Sequence, residues 1–196
     1  METKTDTLRS MAKQLKLAGM GNEMDDLLVK AQKNKSSFVD FAMHLLGTEI
    51  EYRNRQNLIK RMKAAKLPAN NDLDLWKDNQ QKGISKQQIA QLRECLWLEQ
   101  KFNVILMGPS GTGKTFIAAG LCNEALQKGY RACFRTMEQL NHVLKMKDIT
   151  KSAAREFACL MKVDLLVADD IMMFPMEKKQ AVSLFNLVDH LHQNAS

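Results

Sequence analysis

The chain has 196 residues, enough for one ordinary domain with a small appendage, and its 45% apolar and 26% charged residues are the balance of a folded chain rather than a disordered one. No apolar run approaches the ~20 residues of a bilayer span, and the polar stretch Met1 to Ser10 lacks the apolar segment of a secretory signal, so a cytoplasmic protein without membrane attachment is expected. The formal net charge of +7 suits a polyanionic partner without identifying one.

In chain order, the N-terminal third reads as helical. One helix is expected from Thr7 to Ala18, ended by Gly19, and a second from Met24 to Lys33, capped by Asn22 with Asp25 and Asp26 in its first turn. A longer one runs from Ser37 to Leu67, with a possible break near Gly47. On its last part Leu58, Ile59, Met62 and Ala65 fall on one side, and Arg53, Lys60, Arg61 and Lys63 on the other. From Arg53 to Lys66 there are six basic residues and no acidic one. This face is either the solvated side of a core helix or a stripe contacting the phosphates of duplex DNA, each contact releasing condensed counterions. Nothing in it points to base readout.

Pro68 and the following Ala69-Asn70-Asn71-Asp72 stop the helical region, and 69–83 reads as a connector between a helical domain, 1–68, and a second domain, 84–196. Ser85 to Gln100 is expected to be helical. The period then switches, and Asn103-Val104-Ile105-Leu106-Met107 has the short apolar texture of a buried parallel strand. A helix from Phe116 to Lys128, a strand from Arg131 to Thr136, helices 138–147 and 152–162, a strand from Val163 to Ala168 and a helix from Met176 to Gln193 follow. Strands alternating with helices imply an α/β fold, a parallel sheet with helices on both faces, behind a small all-α N-terminal domain.

Gly108-Pro109-Ser110-Gly111-Thr112-Gly113-Lys114-Thr115 fits the phosphate-loop pattern G-x-x-x-x-G-K-[ST] at every required position. Its glycines let successive N–H groups point at phosphate oxygens, and the helix that follows adds its positive end. Lys114 is placed to reach the β- and γ-phosphates of ATP, and the Thr115 hydroxyl to ligate magnesium. The alternative, a glycine-rich turn without a ligand, is disfavoured by the strand directly before the loop and the helix directly after it. Farther on, Leu165-Leu166-Val167-Ala168 delivers Asp169 and Asp170 to a strand end. Asp169 is the candidate to serve the magnesium, and Asp170 to orient or deprotonate an attacking water. An acid so placed suits hydrolysis better than transfer to another acceptor, which, with the basic helices, argues against a small-molecule kinase.

Cys95, Cys122, Cys133 and Cys159 form no C-x-x-C pair and read as reduced thiols, mostly in apolar segments. His190 and His192, two apart on a helix, point to different faces, so a metal site there is not expected.

These segments together resemble the IstB-like ATP-binding proteins, AAA+ helper ATPases of insertion-sequence transposition related to the DnaC helicase loader. The resemblance is carried by G-P-S-G-T-G-K-T, G-Y-R-A-C-F-R-T, E-Q-L, D-L-L-V-A-D-D-I-M-M-F-P and A-V-S-L-F-N-L-V. It extends to L-K-L-A-G-M (Leu15 to Met20) and to the segment R-N-R…K-A-A-K-L-P (Arg53 to Pro68). It implies an AAA+/ASCE P-loop domain that binds ATP and magnesium, forms a homo-oligomer on double-stranded DNA and passes a target site to a transposase. It also implies that the segment from Gly83 to Ile89 approaches the adenine. A DnaC-like helicase loader and a non-hydrolysing nucleotide- or DNA-binding remnant are the alternatives. Met172 and Met173 stand where such proteins often carry a glycine after the acids. The resemblance further implies a strand, a sensor residue and an arginine finger beyond Ser196, so the sequence reads as C-terminally truncated. Without a strand between 103–107 and the Asp169 strand, both should keep unpaired backbone and apolar surface.

Overall fold

The structure is a computed structural model that describes residues 3–76, 83–171 and 175–194. Its elements in order are α1 (Lys4–Gln14), α2 (Ala18–Asn34), α3 (Phe38–Ala65), a 3-10 turn (Leu73–Leu75), α4 (Lys86–Arg93) and α5 (Leu96–Glu99). Then come α6 (Lys114–Gln127), β1 (Ala132–Thr136), α7 (Met137–Met146), α8 (Lys151–Leu160), β2 (Leu165–Asp169) and α9 (Lys178–Asn194). The chain divides into two compact units, Met1–Lys60 and Arg61–Ser196.

In the first unit, α1 opens on a capping box in which the Thr3 hydroxyl and the Asp6 carboxylate satisfy each other's backbone N–H groups. It packs against α2 through Ala12, Met20, Met24 and Leu27, all buried, with Arg9 paired to Asp25. The helix boundaries differ from the sequence expectation. The chain turns at residues 15–17, and α2 starts at Ala18 rather than at Met24. The cause is tertiary. Leu17 offers α2 no side-chain cap, but Glu49 on α3 accepts the N–H of Met20 at 3.1 Å. Gly19, expected as a helix stop, lies inside α2, where the close approach of α3 leaves no room for a side chain: a Cβ there would stand 2.5 Å from Tyr52 Cβ and 3.0 Å from the Thr48 carbonyl oxygen. The L-K-L-A-G-M segment is therefore a helix crossing. Nor does α3 break at Gly47: it is one helix of 28 residues, and an interior glycine costs it only about 1 kcal/mol.

The division into units falls inside α3, ahead of Pro68, because the end of that helix is held by the second unit: the buried Arg135 of β1 donates to the carbonyls of Ala64 and Ala65. Part of the expected connector is packed rather than loose. Leu73 is buried with Ile89, Ile117 and Leu121, flanked by Trp76, Ile84, Leu92, Leu106 and Phe116. Residues 77–82 of the connector, and Met172 and Met173, lie outside the described residues. The expected single helix from Ser85 to Gln100 is two, because Cys95, fully buried, adopts a left-handed φ of 61° between α4 and α5. The Trp97 indole N–H closes the corner on the Leu92 carbonyl at 2.9 Å.

β1 and β2 pair in parallel, with Ala132 opposite Leu165 and Thr136 opposite Asp169. Cys133, Leu166 and Ala168 share a core with Met137, Leu140 and Val143 of α7, Leu160 of α8 and Leu187 of α9. α6 packs on both strands and carries Ala119, Cys122, Ala125 and Leu126, all fully buried. Burial pushes the Cys122 thiol up to about 12 and Cys133 up to about 11, so both remain protonated apolar fillers.

One expected strand is not in the sheet. Residues 103–107 pair with neither β1 nor β2 among the described residues. Only Leu106 is half-buried, whereas Ile105 is 79% and Met107 85% exposed. Their apolar texture is that of a strand flanked by neighbours, and no described strand lies alongside to satisfy its backbone.

Candidate nucleotide-binding site

The segment Gly108 to Thr115 joins the extended residues 103–107 to α6. Gly113 caps α6 with φ of 90° and no side-chain hydrogen bond, a conformation that strains any residue with a Cβ. The first helical bond runs from the Ile117 N–H to the Gly113 carbonyl at 2.9 Å. The N–H groups of the turn before it have no side-chain cap, which is the arrangement that receives an anion at a helix start.

The loop is closed upon itself by its own polar groups. Lys114 Nζ donates to the carbonyl oxygens of Gly108, at 2.9 Å, and Pro109, at 2.7 Å. The Thr112 hydroxyl donates to the same Pro109 carbonyl at 2.9 Å. The ammonium is thus already centred over the turn that the pattern assigns to phosphate, and Thr115 on the first turn of α6 stays exposed. Ile84 and Ile89, in the segment expected to approach the adenine, pack in the same cluster as Ile117 and Leu121 of α6.

Asp169 ends β2, half-buried and in register with Thr136, which in turn caps α7. Asp170 follows, exposed, with φ of 59°. Neither acid bonds to the loop among the described residues. No described group of three or more His, Cys, Asp or Glu residues could cage a metal.

The basic residues of α3 divide by what they touch. Arg53 Nε donates to the buried Glu49 at 2.7 Å and its Nη2 to the Lys16 carbonyl at 3.2 Å. Lys60 and Lys63 are exposed, and Arg61 is half-buried with its Nε lacking a partner. Two residues that sequence reasoning missed organise these surroundings: Glu49, which caps α2, and Arg135, which caps α3. Arg135 had a signal, a lone charge within the apolar strand Ala132 to Thr136, but its partners are distant in sequence.

A glycine-capped loop with its lysine folded across it, leading into a helix that packs on a parallel strand pair, defines a P-loop nucleotide-binding α/β protein. Comparison with known proteins makes the class specific. The profile of the IstB-like ATP binding proteins matches residues 10–196, and the chain belongs to that family. The family's description assigns ATP binding to its members. A protein of Bacteroides fragilis described as an IS21-like insertion-sequence ATP-binding protein is 38% identical over 185 residues, covering 94% of this chain and 70% of the relative. Another, from strain YCH46, is 38% identical over 182 residues, covering 93% and 92%. The insertion sequence IS21 ATP-binding protein of Pseudomonas aeruginosa is 28% identical over 189 residues, covering 96% and 71%. No helix among the described residues is long and apolar enough to cross a membrane.

Proposed function

We propose that this chain is an ATP- and magnesium-dependent helper of DNA transposition that assembles as a homo-oligomer on double-stranded DNA and presents a target site to a transposase. The reading is supported by the insertion-sequence descriptions of its relatives and carried by one observation, the self-closed loop of Gly108, Pro109 and Lys114 at the start of α6.

Nucleotide binding exchanges partners within that loop. Lys114 leaves the carbonyls of Gly108 and Pro109 for the β- and γ-phosphate oxygens, a charge-assisted contact stronger than the neutral ones it replaces. Ser110, Gly111, Thr112 and Gly113 present backbone N–H groups to the phosphates, aided by the helix start. Thr115 and Asp169 are the residues that would hold magnesium, which would supply positive charge beside the phosphates when bound. Asp170, exposed next to Asp169, takes the proton of the attacking water on its carboxylate. Lys60, Arg61 and Lys63 supply the phosphate contacts to DNA. Arg53, engaged with Glu49 and the Lys16 carbonyl, has less of its guanidinium to offer.

The test is ATP turnover by the purified chain with and without duplex DNA, beside a Lys114→Ala control, each sample checked for folding by thermal melt. Turnover stimulated by DNA and abolished by Lys114→Ala is the expected result. A folded chain that binds ATP and turns over no faster than the control would overturn the hydrolytic reading and leave a nucleotide-binding module.

A further inference from the structure

Arg135 is the buried charge of the sheet. Its side chain sits within β1 at 4% exposure, where an unpaired guanidinium would be very costly, and all its partners are in place. Nη1 donates to the carbonyl of Ala65 at 3.0 Å and of Phe134 at 2.7 Å, Nη2 to Ala64 at 3.5 Å, and Nε to Glu156 on α8 at 2.9 Å. The same Glu156 oxygen accepts Lys66 Nζ at 2.8 Å. Ala64 and Ala65 end α3, and the last carbonyls of a helix have no partner within it. A strand residue therefore takes the place of a local cap and fastens the end of α3 to the sheet.

The position of Arg135 along β1 matters as much as its bonds. Its register partner is Ala168, and one residue later Thr136 stands opposite Asp169. The opposite end of the strand pair is pinned. Arg131 holds Asp164 through its own N–H at 2.7 Å and through Nη2 at 2.6 Å, and Asp164 N–H returns to the Arg131 carbonyl at 2.7 Å. A displacement at the Asp169 end is thus levered about a fixed far end, and Arg135 is the side chain that meets it. In a close-packed interior such a displacement is transmitted rather than absorbed. The residues it reaches are the final turns of α3, which carry Lys60, Arg61 and Lys63.

We propose that Arg135, braced by Glu156, is a positioning residue that carries nucleotide occupancy at the Asp169 strand end to the basic final turns of α3. The inference rests on the nucleotide-binding reading above and extends it to regulation of the surface proposed for DNA.

Hydrogen exchange on the whole chain, with and without ATP and magnesium, tests it for wild type, Arg135→Lys and Glu156→Gln. Lysine keeps the charge but cannot span these acceptors, and Glu156→Gln keeps the size and an acceptor oxygen while removing the counter-charge, leaving Arg135 held by the carbonyls of Ala64, Ala65 and Phe134. In wild type, nucleotide should slow exchange in the loop, 108–117, and also change it at 61–66. In each variant the loop response should persist and the response at 61–66 should disappear. A cap with a merely structural role would raise exchange at 61–66 equally in both states, leaving the nucleotide-dependent difference intact, and that result overturns the proposal. So does a wild-type chain whose loop responds while 61–66 does not. Should Arg135→Lys fail to fold, Glu156→Gln decides between the same outcomes. A parallel DNA titration separates the two readings. The gain in DNA affinity conferred by ATP, about 5–150-fold for ordinary coupling, should fall below about twofold in the variants. If wild-type DNA affinity ignores ATP while 61–66 still responds through Arg135, the DNA reading fails and the inference stands.

Discussion

The carboxylate of Glu49, buried on α3, accepts the backbone N–H of Met20 at 3.1 Å and so caps a helix to which it does not belong. Arg53, one turn along α3, donates to the same carboxylate and reaches the Lys16 carbonyl at the turn before α2. Removing the carboxylate strands an N–H at the start of α2 and frees Arg53. Glu49→Ala should destabilise the N-terminal unit by about 1–2 kcal/mol, the scale of a lost helix cap. Urea unfolding followed by circular dichroism checks this, and an unchanged midpoint would show that water replaces the cap without loss.

Gly19 stands at the same crossing. A Cβ there would lie 2.5 Å from Tyr52 Cβ, an atom bonded to the backbone of α3 and unable to swing away. Gly19→Ala should therefore separate the helices and cost about 1–3 kcal/mol, although alanine is the better helix former. Gly47→Ala, at a position where an added Cβ meets nothing within 4 Å, should raise stability slightly. Thermal melts of the two variants should move in opposite directions.

This crossing also shows what the sequence could and could not disclose. The glycine-capped turn at Gly113, the helix after it and the strand that ends at Asp169 are legible because their information is local: a fixed spacing, a glycine cap, an apolar run ended by aspartates. The N-terminal boundaries were not, because α2 begins where Glu49, about thirty residues away, provides a cap, and Gly19 is a contact rather than a stop. Cys95 hid its left-handed corner for the same reason, being fixed by burial and by Trp97. Residues 103–107 have the local texture of a strand, but a strand exists only with a neighbour, and a ladder partner is not written in the segment itself. Arg53 is exposed, as its place on the wheel implies, and Glu49 stands at a helical pair spacing; the contact hidden from the sequence is the Lys16 carbonyl, distant along the chain.

Acid should weaken the protein through carboxylates held below their ordinary range. Burial pushes Asp164 up, but the side-chain and backbone hydrogen bonds from Arg131 outweigh it, and the net shift is downward. At Glu156 burial is likewise outweighed by the bonds from Lys66 and Arg135. A folded pKa depressed below the unfolded one contributes stability that is present above the unfolded value and lost as pH falls through the folded one. The wild-type melting temperature should accordingly drop below about pH 4. Asp164→Asn should be less stable than wild type at neutral pH by about 1 kcal/mol, given the exposure of Arg131. That gap should close as the pH is lowered; a gap independent of pH would assign the loss to packing rather than charge.

The two adjacent acids should separate when binding and turnover are measured apart. Asp169→Asn should weaken ATP affinity in the presence of magnesium and leave the magnesium-free affinity unchanged. Asp170→Asn should leave both affinities near wild type while lowering turnover by about 10²–10⁴-fold, the range for loss of a general base. Equal effects of the two substitutions on magnesium-dependent binding would remove the distinction between them and assign Asp170 to the metal as well.

The basic residues of α3 make a prediction in which salt is the probe. Each lysine or arginine that neutralises a DNA phosphate contributes about 0.9 to the slope of log affinity against log salt. Lys60→Ala and Lys63→Ala, both at exposed positions without a structural partner in the described ion pairs, should each lower that slope by about 0.9 while leaving the melting temperature nearly unchanged. Arg53→Ala should do the reverse. Its guanidinium is engaged with Glu49 and the Lys16 carbonyl, so its loss should lower the melting temperature and alter the slope little. The contrast is sharper than any single affinity, because a variant that merely unfolds in part weakens DNA binding without changing the number of counterions released. A slope unmoved by Lys60→Ala and Lys63→Ala would return this face of α3 to solvent and direct the search for the DNA surface to the rest of the protein.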